Sequence, residues 1–321
     1  RLGLAALVIA AGWALARLPL GLAATLVVGL IAGVGILLRP SLGLVLLAFA
    51  IPFGSLRNLP VGGMNLGAQD VLLAAVAASW LLRQVAHRQM TWRWPMLGGA
   101  GLILLCVMML SLLPASSLGS AFKEIIKWAE LWAAMVLVLN VASKADIWLL
   151  AMALLVAGAA EAMVGIGQIV RGRGPEAFMI LGRVMRASGT FDQPNPFGGY
   201  MGLVLPLAVA LFMTAWPERG EAAHRRQILL WAVAAGSAAL LAGGLYASWS
   251  RGAWLGVAAA LVVVLVARGG RWLRGLTMGG VLVVAVSVAV LGRLPLPGGL
   301  QQRFVDYAAD LTTIDVRAVE I

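Results

Sequence analysis

The sequence predicts an all-α polytopic integral membrane protein, a bundle of about eleven transmembrane helices, and three observations lead there. Of 321 residues, 62% are hydrophobic and only 12% charged, and the mean hydropathy is +0.96, a balance no water-soluble domain needs. The apolar residues fall in continuous runs close to the roughly 20 residues that a helix needs to cross a hydrocarbon core about 30 Å thick. These runs are not the alternating segments of about ten residues that a transmembrane barrel would show.

The runs predict helices over 2–16, 20–38, 41–53, 68–86, 96–114, 122–141, 147–170, 196–216, 227–247, 251–267 and 272–291, the first and third being short. Each is bounded by residues that hydrocarbon disfavours. Arg17 follows the first run, Arg39 the second and Arg57 the third. Arg83, Arg88 and Arg93 separate the fourth from the fifth, Lys123 opens the sixth, and Lys144 lies between the sixth and seventh. A polar loop, 171–195, separates the seventh from the eighth. Arg219, Arg225 and Arg226 precede the ninth, Arg251 divides the ninth from the tenth, and Arg268, Arg271 and Arg274 precede the last. Residues 1–291 thus form a transmembrane domain with an outer-face loop at 171–195, and 292–321 reads as the opening of a periplasmic loop. The chain begins at Arg1 and stops at Ile321, so further residues are expected at both ends, with twelve or more spans in the full protein.

Alternate connections differ in charge. The set bearing Arg39, the Arg83–Arg93 group, Lys144, the Arg219–Arg226 group and the Arg268–Arg274 group belongs in the cytoplasm by the positive-inside rule. The N-terminus is then cytoplasmic and the opposite connections are periplasmic, in a bacterial inner membrane. The net charge of +11 is mostly this asymmetry, satisfied by anionic membrane lipids, and does not imply nucleic acid. No cleavable secretory signal, phosphate-binding loop or Cys/His spacing for a metal or haem is present, so no metal or cofactor is expected. Cys106 lies inside a span and reads as packing. No inverted repeat stands out.

Four places carry chemistry. In the 171–195 loop, glycines and Pro175 break the preceding helix and present Arg171, Arg173, Arg183 and Arg186 above the headgroups. A guanidinium is planar, permanently charged and able to grip two phosphate oxygens, which suits a diphosphate. The plainer reading is headgroup contact, or pairing with Glu176 and Asp192. Next, Asp192-Gln-Pro-Asn195-Pro restricts the backbone before the eighth helix, whose amides and dipole favour an anion; the plainer reading is that Asp192 or Asn195 does no more than cap. Third, Arg251 sits in a tight turn among Ser248, Trp249, Ser250, Gly252 and Trp254; the tryptophans are ordinary interfacial anchors, the arginine is not. Fourth, Lys123, Lys127 and Glu130 share one face of the sixth helix, Glu130 about 10 Å from its start. Glu161 lies roughly 21 Å along the seventh. Intramembrane acids suggest a cavity, against the alternative that Lys127 neutralises Glu130 structurally.

Ser188-Gly-Thr-Phe-Asp-Gln-Pro-Asn195-Pro-Phe-Gly-Gly-Tyr200, followed about fifty residues later by Ser250-Arg251-Gly-Ala-Trp-Leu-Gly256, resembles the signature of the O-antigen ligase and O-antigen polymerase superfamily of bacterial envelope glycan enzymes. The resemblance is specific over about 186–256. It implies a metal-independent membrane glycosyltransferase acting at the periplasmic face on a glycan carried by undecaprenyl diphosphate, with a lipid or polysaccharide acceptor. It also implies that Arg186 and Arg251 bind the lipid diphosphate, Arg183, Asn195, Lys123 and Lys127 being further binding candidates from the residues themselves. The family's outer-loop histidine, its general base, has no counterpart among His87 and His224, both in expected cytoplasmic connections; its place would lie beyond Ile321. The catalytic group is therefore unassigned, with Glu130 and Glu161 as candidates. Two other classes fit the hydrophobicity. A lipid-linked glycan or ion-coupled transporter should carry charge through both membrane halves, and a non-catalytic subunit of a larger complex leaves both arginine motifs unexplained.

Overall fold

The computed structural model describes residues 13, 16–54, 59–61, 64–88, 90–180, 184–214 and 224–268. The expected spans 2–16 and 272–291, Arg183 and the segment 292–321 lie outside or almost wholly outside the described residues. The described helices are α1 (Leu20–Leu38), α2 (Pro40–Phe53), α3 (Ala68–Ala86), α4 (Gly98–Leu110), α5 (Leu118–Val141), α6 (Lys144–Val170), α7 (Pro194–Thr214), α8 (His224–Ser248) and α9 (Arg251–Arg268). The described fold is all-helical apart from two short antiparallel hairpins in the connections: β1 (Leu59–Val61) with β2 (Met64–Leu66), and β3 (Met179–Ile180) with β4 (Val184–Met185).

Among the described residues, five helices are long and apolar enough to cross a membrane: α1, α6, α7, α8 from Gln227, and α9. Helices α2 and α4 are apolar but shorter. The surface is that of a membrane protein, with Leu20, Leu30, Ile31, Leu203 and Val263 all 66% exposed or more, since water would not tolerate so continuous an apolar exterior.

Local chemistry explains the element boundaries. Pro40 occupies the first position of α2, where its missing N–H costs nothing. Ser143 and Asp146 form a reciprocal capping box at the start of α6. Helix α4 begins two residues later than the apolar run because the preceding segment lies along α5: Arg93 exchanges hydrogen bonds with Asn140 (2.7 and 3.0 Å) and Trp132 Nε1 donates to the Gly98 carbonyl at 3.1 Å; it ends four residues earlier, in turns over 111–114. Helix α5 starts at Leu118, four residues before expectation, which places Glu130 about 18 Å along it at 1.5 Å per residue, near its middle rather than close to one end.

The chain divides into two compact units, 1–254 and 255–321; the described part of the second is the remainder of α9. In the first, one core joins Ile36, Leu44, Leu73, Val76 and Leu137 from α1, α2, α3 and α5. Another lies among α6, α7 and α8, where Leu155, Phe197, Met201 and Leu241 are almost fully buried. Gly244 permits the close approach there, since a Cβ would meet Ala162 Cβ at 3.0 Å and Met201 Sδ at 3.1 Å.

Polar contacts segregate to the two ends of this unit. At one end Arg83 Nη2 donates to the carbonyls of Leu37 and Leu38, Arg39 faces Asp146 at 3.9 Å, and Arg93 meets Asn140. The other end gathers the C-termini of α2, α6 and α8 and the N-termini of α7 and α9, joined by the contacts described next.

Candidate functional site

Helix α6 ends in a Schellman motif. Gly172, at φ +58°, reverses the chain so that Arg173 N donates to Gln168 O (2.9 Å) and Gly172 N to Ile169 O (3.1 Å). Pro175 leads into a 3₁₀ turn, Glu176–Phe178, and then the β3–β4 hairpin. This hairpin delivers Arg186 to the bundle end, where Arg186 N donates to Phe178 O at 3.1 Å and Ala187 N to Ala247 O at 2.9 Å.

The next turn is held by α6. Gln168 Oε1 accepts from Ser188 N (3.1 Å) and Gly189 N (2.9 Å), while its Nε2 donates to Gly189 O at 2.7 Å. Glu161, seven residues earlier on the same helix face, is fully buried. Its Oε1 accepts from Thr190 N at 2.6 Å, and its Oε2 lies 3.0 Å from the Thr190 hydroxyl, which also bonds the Pro52 carbonyl at the end of α2. Gly189 has φ +59° and a Cβ there would collide with Glu161 Oε1, so only glycine fits. The carboxylate therefore anchors the loop between α2 and α6.

Arg186 bridges the two motifs. Its Nε donates to the Ser248 carbonyl at 3.0 Å and its Nη2 to Asn195 Oδ1 at 2.7 Å. Asn195 lies in the first turn of α7, and Ser248 closes α8. The second motif is a two-residue link: Trp249, at φ +51°, and Ser250 connect Ser248 to Arg251, the first residue of α9. The buried Ser248 hydroxyl fastens it, accepting from Ser250 N at 3.1 Å and donating to Leu245 O at 2.7 Å. Trp254 Nε1 also donates to Leu245 O, at 3.0 Å. Gly198 on α7 lies against this link, because a Cβ there would meet Ser248 Oγ at 2.7 Å.

Two arginines stand at this end of the unit. Arg186 is oriented by two acceptors, and exposed Arg251 stands at the N-terminus of α9, where the helix dipole already disfavours a cation. The N-terminus of α7 adds its own amides at the same end. On the outward side of α6, Arg171, Arg173 and Gln168 border a cavity of about 420 Å³ with Met163 and Val164.

The remaining candidates lie elsewhere. Lys127 pairs with Glu124 at 2.6 Å, both exposed, rather than with Glu130, the structural alternative that the sequence left open. Lys123 and Glu130 are also on α5, Glu130 with Asp70 of α3 as its electrostatic neighbour. Gln168, Thr190 and the Ser248 carbonyl were not singled out from the sequence; the one available signal was a polar Gln seven residues after Glu161. Among the described residues, no group of three His, Cys, Asp or Glu side chains is placed to hold a metal ion. Comparison with family models, curated proteins and solved structures finds no match for this chain.

Proposed function

We propose that this protein is a membrane glycosyltransferase that moves or polymerises a glycan from an undecaprenyl-diphosphate carrier at the periplasmic face of a bacterial inner membrane, in the manner of O-antigen ligases and polymerases. The observation that carries the proposal is the Arg186 bridge, because the two sequence motifs that suggested the activity, 62 residues apart at Arg186 and Ser248, meet in one hydrogen-bonded unit.

In this reading the membrane-spanning helices embed the first unit so that the loop 171–195 and the Ser248–Arg251 link face the periplasm. Attack of an acceptor hydroxyl on the anomeric carbon of the donor breaks the bond to the diphosphate, and the departing charge is met by Arg186 and Arg251. A fixed guanidinium stabilises that charge better than a mobile ammonium, since its orientation is set before reaction. The acceptor proton passes to a base that the described residues do not supply. Glu161 is committed to the Thr190 turn and serves to position it.

Arg186→Ala and Arg251→Ala are each expected to abolish glycan transfer with expression and membrane insertion intact, read as glycan length and yield in cells relying on the variant. Normal glycan in either variant would remove that arginine from the site.

A further inference from the structure

At the opposite end of the same unit lies a second cationic feature that the proposed activity does not use. A groove of about 620 Å³ is bounded by the last two turns of α5, the first turn of α6 and the segment 93–96. Its walls are apolar, with Met96, Met135, Leu139 and Ile147 among them, and its rim carries Arg93 and Lys144. We propose that this groove holds one anionic phospholipid of the bilayer, its phosphate between Arg93 and Lys144 and an acyl chain along the apolar wall.

Three independent observations point to that occupant. The first is placement: the Arg93 backbone is fastened to Asn140 on both its N–H and its carbonyl, which holds the base of that side chain at the groove rim, and Lys144 is set at the same rim by the first turn of α6. The second is local electrostatics. Lys144 occupies the first residue of α6, where the helix dipole opposes a cation, so an anion above it relieves an unfavourable arrangement. Asp146, the carboxylate of that turn, is engaged by its Ser143 cap and by Arg39. The third is depth. Trp80, Trp92, Trp94 and Trp132 form a continuous aromatic chain beside the groove, with centroids 5.4, 6.3 and 6.1 Å apart. Exposed Trp92 and Trp94 mark the headgroup level at which such rings settle. A basic pocket between helices at that depth selects a phosphate with a single net negative charge over a zwitterion, and the apolar floor excludes a free inorganic anion as the preferred ligand.

The inference does not rest on glycan transfer. Its test is native mass spectrometry of the full-length protein, released from mild detergent after incubation with phosphatidylglycerol or with phosphatidylcholine. Wild type is expected to retain one phosphatidylglycerol at least about tenfold more than phosphatidylcholine. Arg93→Gln/Lys144→Gln is expected to lose that preference, while Arg171→Gln/Arg173→Gln keeps it. Leu139→Trp, which fills the apolar wall and leaves both charges, is expected to lose the adduct as well. Unfolding of each variant is followed by circular dichroism so that only folded protein is scored. Equal retention of the two lipids by wild type, or undiminished phosphatidylglycerol in the Arg93/Lys144 variant, would overturn the assignment.

Discussion

Arg186 makes two directed donations from one planar group, to a carbonyl at the end of α8 and to a side chain at the start of α7. A lysine has the charge but not the fork. Hydrogen bonds to charged groups contribute about 1.5–3 kcal/mol each, so Arg186→Lys should lower glycan transfer by about tenfold or more at unchanged protein level; a transfer rate within twofold of wild type would show that charge alone suffices. Glu161 is a second residue whose role the hydrogen bonds define. Glu161→Gln keeps an acceptor for Thr190 N and should retain most stability and activity. Glu161→Ala leaves the Thr190 N–H without its acceptor, while the Thr190 hydroxyl keeps the Pro52 carbonyl, a loss of about 1–3 kcal/mol, visible as a lowered midpoint of thermal unfolding in detergent. Activity abolished in a fully folded Glu161→Gln protein would instead make the carboxylate a proton-transfer group. Sequence reading placed Arg186, Asn195 and Arg251 in one region from their chemistry, yet it took Glu161 as a cavity acid. A buried acid and a turn-anchoring acid look alike until the turn that it meets is known, and Thr190 lies 29 residues away.

The helices α6 to α9 fall within three residues of the runs that predicted them, since a charged or proline-bearing boundary closes each run and apolar length does the rest. Elements that depend on tertiary contact were less legible. The position of α4 is set by Asn140 and Trp132 on another helix, and the two hairpins are only two or three residues per strand, too short for any periodicity to register. The close approach of α6, α7 and α8 determines where the Ser248–Arg251 link sits relative to Asn195. Gly244, one turn before Ser248, is the contact point, so Gly244→Leu should wedge α8 away. Overpacking of this kind costs about 1–3 kcal/mol, and both unfolding midpoint and glycan transfer should fall together. A stable, fully active Gly244→Leu protein would show that this spacing does not position the site.

On the scale of the molecule, the proposed orientation rests on the positive-inside rule applied to the connections between spans. Arg39, Arg83 and Arg93 make their contacts at one end, Arg186 at the other. With the free thiol of Cys106 removed as Cys106→Ser, Arg173→Cys should react with a membrane-impermeant maleimide in cells whose outer membrane is permeabilised, and Arg88→Cys only after lysis; the reverse pattern would invert the proposed topology. In the proposed topology the bilayer separates the proposed diphosphate site from the proposed phospholipid groove. The most direct test of the central claim is binding of undecaprenyl diphosphate, or a short-chain analogue, to the purified full-length protein, compared with Arg186→Ala/Arg251→Ala. The account predicts saturable binding by wild type that is lost in the double variant, whereas equal binding by both, or none by either, would contradict it.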